Sequence, residues 1–256
     1  MEWIRLKKNE RIDIMNKDYV GNLKRSFRIW FDAIKDDYLN SKDPDFFIYN
    51  GTQIYTGAQG SGKTLSMVRD ALRMKERFPR AKVVTNLQLN VDWADEIIRF
   101  DDVGELAEVL VSVNNGKFGV IYMIDEIHSY FNALDSKSIP PFVFTEISQQ
   151  RKQRKVILGS SQLFMRLAKP FREQCSNMLV CKTYMGLYTT VTAYDGMELT
   201  QALDGSLIGT RKKKIGYFQS RELRDSYDTF QKVVSSNVEL QQYQLQETKK
   251  KGVFKR

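Results

Sequence analysis

"GAQGSGKTLSM", residues 57–67, decides the fold. Gly57, Gly62, Lys63 and Thr64 match G-x-x-x-x-G-K-[ST] in full. The glycines let the backbone curl until its N–H groups point at an anion, and the positive end of the following helix adds to the pull. Lys63 is placed to reach the β and γ phosphates of a nucleotide, and the Thr64 hydroxyl to ligate Mg²⁺. "TQIYT" before the loop is strand-like and "LSMVRDALRM" after it helical, which is the context the pattern requires. The phosphate-binding candidates are therefore Gly57, Ala58, Gln59, Gly60, Ser61, Gly62, Lys63, Thr64 and Leu65.

A second element supports the first. "VIYMIDE", residues 120–126, is an apolar strand ending in paired carboxylates. Asp125 is placed to hold Mg²⁺ through water. Glu126 is the natural general base for an attacking water. The expected cofactors are ATP and Mg²⁺, and the expected reaction is hydrolysis of ATP to ADP and phosphate. "KVILGSSQ", residues 155–162, is a further buried strand. It sets Gln162 beside the carboxylate strand, where an amide can position water or sense the γ-phosphate. Arg151 and Arg154, at the end of the preceding helix, are candidates for an arginine finger acting on a neighbour's nucleotide. A solvated charge run is the other reading of that pair.

Working outward, residues 17–40 read as an amphipathic helix, with Leu23, Phe27, Trp30, Phe31, Ile34 and Tyr38 on one stripe. Core packing is its first reading and membrane-surface contact its second. Asp43-Pro44-Asp45 breaks the chain. Helices are expected over 65–78, 103–113 and from Pro140-Pro141 to about Arg154, with strands at "KVVTNLQL" and "GVIYMIDE" between them. Strand alternating with helix argues for an α/β domain with a mostly parallel sheet. "MLVCKTYMGLYTTVTAY" reads as a hairpin turning at Met185-Gly186, and hence as an antiparallel extension. The domain reading is 1–50, an N-terminal helical extension; 51–235, the nucleotide-binding domain; and 236–256, a basic tail.

The charge is uneven. Residues 1–150 carry 20 basic and 22 acidic side chains, whereas residues 151–256 carry 20 and 9. An excess of cations confined to one half points to an anionic partner, nucleic acid or anionic lipid. Cys175 and Cys181, with one histidine in the whole chain, argue against zinc and for buried free thiols in a reducing compartment. No eighteen apolar residues run together and the start has no apolar signal region, so a cytosolic protein without a spanning helix is expected.

"IDEIH" ends like the box of a DExH helicase, with His128 in the fourth place. Such helicases need two tandem nucleotide-handling domains and a glycine-containing arginine motif, and "QQRKQR" lacks the glycines. The chain resembles the zonular occludens toxin-like ATPases of filamentous phages and mobile elements more closely. The resemblance rests on "GAQGSGKT", on "IDEIHSYF" and on the basic helix feeding "VILGSSQ", with "YDTF" at 227–230 as a lesser match. It implies a P-loop NTPase of the additional-strand type, akin to the RecA-like FtsK–HerA motors. It also implies an oligomeric ring that moves viral or plasmid DNA, in packaging, translocation or virion extrusion. Filamentous-phage members carry a transmembrane segment after the ATPase domain, which this sequence lacks. That leaves a motor in the host cytoplasm, peripheral at the inner membrane or associated with the virion, with a membrane-surface or capsid protein as a further partner. Two rival classes remain: an ATP-dependent docking switch that does not move DNA, and a small-molecule kinase. Against the kinase, Asp125 and Glu126 are set to activate water, and no lid-like arginine cluster is evident.

Overall fold

The computed structural model describes residues 26–28, 30, 31, 35, 43–133, 139, 141–201 and 207–228. The backbone divides between Phe46 and Phe47 into two units. In the first, Ser26, Phe27, Arg28, Trp30, Phe31 and Lys35 are helical, as the 17–40 periodicity predicts. The rest of that stretch and the expected basic tail lie outside the described residues.

The second unit is built on an eight-stranded sheet in the order β10-β7-β6-β1-β5-β4-β2-β3. These strands are β1 (Gly51–Thr56), β2 (Lys82–Thr85), β3 (Ile98–Arg99), β4 (Val120–Ile124), β5 (Lys155–Ser161), β6 (Cys175–Tyr184), β7 (Tyr188–Asp195) and β10 (Arg211–Phe218). A short ribbon pairs β8 (Thr200–Gln201) with β9 (Leu207–Ile208). From β3 to β6 every pairing is parallel. Parallel strands covered on both faces are buried along their length, as β4 and β5 are at every residue, β4 wholly apolar and β5 apolar from Val156 to Leu158.

Two apolar layers flank the sheet. Ile121 and Met123 of β4 point into one, with Met67, Val68, Ala71 and Met74 of helix α1 (Lys63–Arg77). Tyr122 and Ile124 point into the other, with Leu106 and Leu110 of α2 (Val103–Ser112) and Val143 and Ile147 of α3 (Pro141–Ser148). Helix α2 starts on an Asp102 cap that accepts from the Glu105 N–H at 2.8 Å. The helix expected to run on to Arg154 is interrupted at Gln149, and α4 (Gln150–Gln153) follows it. Strand β2 stops at Thr85, short of the expected "KVVTNLQL", because the Thr85 hydroxyl takes the Leu87 N–H at 3.0 Å and turns the chain. Later come α5 (Lys169–Arg172) and α6 (Arg221–Asp225).

The hairpin expected around Met185-Gly186 is present, but only its second arm is antiparallel to its neighbours. β6 pairs parallel with β1, so it extends the main sheet before β7 reverses the direction and β10 turns it back again. Cys175 and Cys181, both on β6, are free and buried, and burial pushes each thiol up to about 12. No helix among the described residues is long and apolar enough to cross a membrane.

Candidate functional site

β1 and β4 are not adjacent; β5 lies between them. All three run in the same direction, so Thr56, Asp125 and Ser161 emerge at one end of the sheet. That end receives the 57–62 loop. Gly57 sits at φ 148°, where a Cβ would come 2.6 Å from Ser61 Oγ and 2.7 Å from the Cys181 carbonyl oxygen. Gly62 sits at φ 83°, and a Cβ there would come 2.7 Å from Thr183 Oγ1. Both positions are closed to any side chain. Ala58, Gln59 and Gly60 form the exposed crest, while Leu65 is a core residue that can offer only its backbone.

α1 begins at Lys63 with no side-chain cap and no acidic residue in its first turn. Its leading N–H groups and its dipole are therefore open to an anion. Lys63 is buried, and its Nζ donates to the Ala58 carbonyl at 3.1 Å, across the mouth of the loop. The cradle has the donors and the charge that a polyphosphate needs.

Thr64 and Asp125 meet at the edge of this cradle. Thr64 Oγ1 donates to Asp125 Oδ1 at 2.8 Å, and Ser160 Oγ donates to the same oxygen at 2.5 Å. Asn86 clamps the Asp125 backbone, accepting its N–H at 2.8 Å and donating to its carbonyl at 3.0 Å. Two hard oxygen ligands beside a phosphate cradle suit Mg²⁺, which takes few protein ligands and keeps water and phosphate oxygens for the rest. No cluster of three His, Cys, Asp or Glu residues capable of holding a metal occurs among the described residues.

Glu126 follows with φ 48°, a left-handed conformation unusual for a residue with a side chain. Its N–H is held by Ser160 Oγ at 3.0 Å, so one serine fixes both carboxylate residues. Burial raises the Glu126 pKa, and the neighbouring Asp125 charge raises it further. Lys63, a hydrogen bond from the Gln162 side chain and Arg166 pull the other way. Glu126 Oε2 lies 3.2 Å from His128 Nδ1, yet makes no aligned hydrogen bond. Burial lowers the His128 pKa and Arg166 lowers it further, so the ring is neutral near pH 7 and the contact is not an ion pair. His128 Nδ1 is also 3.3 Å from Ser161 Oγ. The Glu126 carboxylate, the Gln162 amide and the Arg166 guanidinium thus lie within interaction range of one another beside Lys63.

Of the sequence-derived candidates, the loop, Lys63, Thr64, Asp125, Glu126 and Gln162 come together. Arg151 and Arg154 do not join them. They precede β5, whose seven residues carry the chain from the opposite end of the sheet to the site. Arg154 there donates to the Phe47 carbonyl at 3.2 Å. Neither arginine reaches the loop of its own chain. Three participants escaped the sequence reading: Ser160, Asn86 and Arg166. Ser160 was signalled by a hydroxyl inside a buried strand, whereas Asn86 and Arg166 carry no motif.

The cradle, the additional strand β5 and the carboxylate-ended β4 define a P-loop NTPase fold. No protein-family profile matches the chain, and neither does any curated protein. Among solved structures it is similar to the N-terminal domain of zonular occludens toxin from Neisseria meningitidis, with a TM-score of 0.48 and 21% identity over 70% of this chain and 98% of that one. It is also similar to the genome packaging NTPase B204 from Sulfolobus turreted icosahedral virus 2 in complex with ATP-gammaS, with a TM-score of 0.46 and 10% identity over 65% of this chain and 97% of that one. A third similarity is to the flagellar accessory protein FlaH from Methanocaldococcus jannaschii, with a TM-score of 0.40 and 11% identity over 70% and 88% of the two chains.

Proposed function

We propose that this chain hydrolyses ATP and that the reaction drives movement of viral or plasmid DNA, in packaging, translocation or virion assembly. The observation that carries the enzymatic part is the Thr64–Asp125 contact at 2.8 Å, with Glu126 next along the chain and both carboxylate residues held by Ser160. It supports a site in which the metal-holding oxygens, the phosphate cradle and a candidate base share one end of the sheet. In this reading Lys63 binds the β and γ phosphates, and Thr64 and Asp125 hold Mg²⁺, which supplies charge neutralisation at the phosphates. Glu126 takes the proton of a water that Gln162 orients. Arg151 or Arg154 serves a neighbouring copy in a ring, since both lie far from the site of their own chain.

The DNA part is supported by the motif resemblance to zonular occludens toxin-like ATPases and by the cations gathered after residue 150. The setting that follows is the host cytoplasm, with docking to a membrane-surface or capsid protein. The test is steady-state ATP turnover with and without single- and double-stranded DNA across salt, beside a sizing experiment. DNA-stimulated turnover that weakens with salt, from an oligomer, is the expected result. Turnover indifferent to DNA, in a monomer, would count for the docking switch instead.

A further inference from the structure

Strands β6, β7 and β10 have two unlike faces. One carries Leu179, Cys181, Val191 and Tyr217, packed into the α1 layer. Strand alternation turns the intervening residues to the opposite side. There, register sets Tyr184, Tyr188 and Phe218 in one cross-strand row, Lys182, Thr190 and Gly216 in the next, and Thr192 beside Lys214 in the third. Phe218 is 78% exposed and Tyr184 50%. The Tyr188 ring lies 5.0 Å from that of Phe218. It also reaches across β10 at Gly216, where a Cβ would collide with the tyrosine hydroxyl. Absence of a side chain at Gly216 is what lets the ring lie over the strand.

Charge on this face has one sign. β6 and β10 contain no Asp or Glu, and β7 only Asp195 at its end. Lys182 and Lys214 are exposed on this face, and neither has an ion pair among the described residues, whereas Lys213, opposite Ala193, lies on the other face. Lys212 alone of its run does, with Asp195 at 2.8 Å. Guarding an edge strand against pairing calls for a lysine or two and no exposed rings. Rings set among unpaired cations meet a different need. Unstacked bases offer flat faces to an aromatic row, and their phosphates pair with flanking lysines. A duplex hides those faces, and an anionic lipid has none.

We propose that this face is a platform for single-stranded nucleic acid, on which Tyr188 and Phe218 stack bases while Lys182 and Lys214 hold phosphates. It deepens the function proposed above and rests on nucleic acid being the partner. The platform also adjoins the nucleotide cradle. On the reverse of the same strands, Gln219 donates to Thr189 Oγ1 at 2.7 Å, Thr189 and Thr183 share a hydrogen bond of 2.8 Å, and Thr183 abuts Gly62.

The experiment is fluorescence anisotropy of the full chain with a labelled oligo(dT) of about twenty nucleotides, and with a duplex of equal length, across salt. The Tyr188→Ala/Phe218→Ala pair should weaken oligo(dT) binding about tenfold or more. Lys182→Glu/Lys214→Glu should weaken it and flatten the log–log salt slope by roughly 0.7 per lost phosphate contact. Tyr188→Phe should bind as wild type, and ATP turnover without DNA should be unchanged in all of them, which excludes misfolding. Oligo(dT) binding that survives loss of both rings overturns the platform and leaves the proposed function standing. So does a raised KM for ATP in the ring variant with oligo(dT) binding intact, which would assign the row to the nucleotide base. A wild-type chain that binds neither oligo(dT) nor duplex contradicts the DNA-moving function itself.

Discussion

Glu126 Oε2 stands 3.2 Å from His128 Nδ1 without an aligned hydrogen bond, and both groups are perturbed chiefly by burial. A carboxylate with its pKa raised is a better proton acceptor than a fully solvated one, provided it is ionised at the working pH. The neutral imidazole packs beside the carboxylate without neutralising it. His128→Ala should lower kcat by about tenfold with KM for ATP unchanged, as expected for a positioning residue. A rise in KM alone would show that His128 serves binding.

The same shift predicts a pH dependence. Glu126 must be ionised to act, and its pKa is raised. The acidic limb of kcat should therefore lie above the ordinary glutamate range, and Glu126→Gln should abolish it with the residual rate. Stability has the opposite sign. A carboxyl with a raised folded-state pKa stabilises the fold below its unfolded pKa, and that contribution is lost as pH rises through the folded value. At neutral pH, Glu126→Gln should leave Tm unchanged or slightly higher. Thermal melts at pH 5 and pH 8 read this directly, and a lower Tm for the variant at pH 8 would contradict it.

Ser160 is the least obvious member of the site and a good test of its geometry. Its hydroxyl holds Asp125 Oδ1 at 2.5 Å and the Glu126 N–H at 3.0 Å. Ser160→Ala should reduce Mg²⁺-dependent turnover by about 10- to 100-fold, the usual effect of removing a partner of a metal ligand. Ser160→Thr, which keeps the hydroxyl, should be milder.

The loop glycines differ in what they tolerate. At Gly57 and Gly62 a Cβ would meet Ser61 Oγ and Thr183 Oγ1 at 2.6 and 2.7 Å, in addition to the positive φ. At Gly60, with φ 73°, a Cβ meets nothing within 4 Å. Gly60→Ala should destabilise by about 1 kcal/mol from backbone conformation alone, and Gly62→Ala by roughly 2–3 kcal/mol with loss of nucleotide binding. Denaturant melts beside ATP binding separate the two. Equal losses at the three positions would mean that Thr183 and Ser61 do not press on the loop.

Tyr217 joins the antiparallel strands to α1. Its hydroxyl is 2.8 Å from Ser66 Oγ, and the Arg69 guanidinium lies 4.2 Å from the ring centroid. Tyr217→Phe keeps the ring contact and should destabilise by about 0.5–1.5 kcal/mol. Tyr217→Ala should cost about 3 kcal/mol or more. A chemical denaturation series measures both.

Much of the site was legible because its parts are local. The loop needs Gly57, Gly62, Lys63 and Thr64 in one short span, and a strand that ends in Asp125-Glu126 can be read in seven letters. What could not be read depends on which strands meet. β6 is predicted as part of an antiparallel extension, and nothing in "MLVCKTY" says that it pairs parallel with β1 and sets Thr183 against Gly62. Arg151 and Arg154 sit close in sequence to Gln162, but a fully extended β5 puts them at the other end of the sheet. Ser160 reads as one more polar letter in "GSSQ" until β5 is known to lie between β1 and β4.

In the proposed reaction Glu126 performs proton transfer, in a site whose phosphate cradle works without it. The direct measurement is binding of ATP by Glu126→Gln beside its single-turnover rate of phosphate release. ATP affinity should stay within a few-fold of wild type and the hydrolysis rate should fall by about 10²–10⁴. Phosphate release by the variant at the wild-type rate would contradict it.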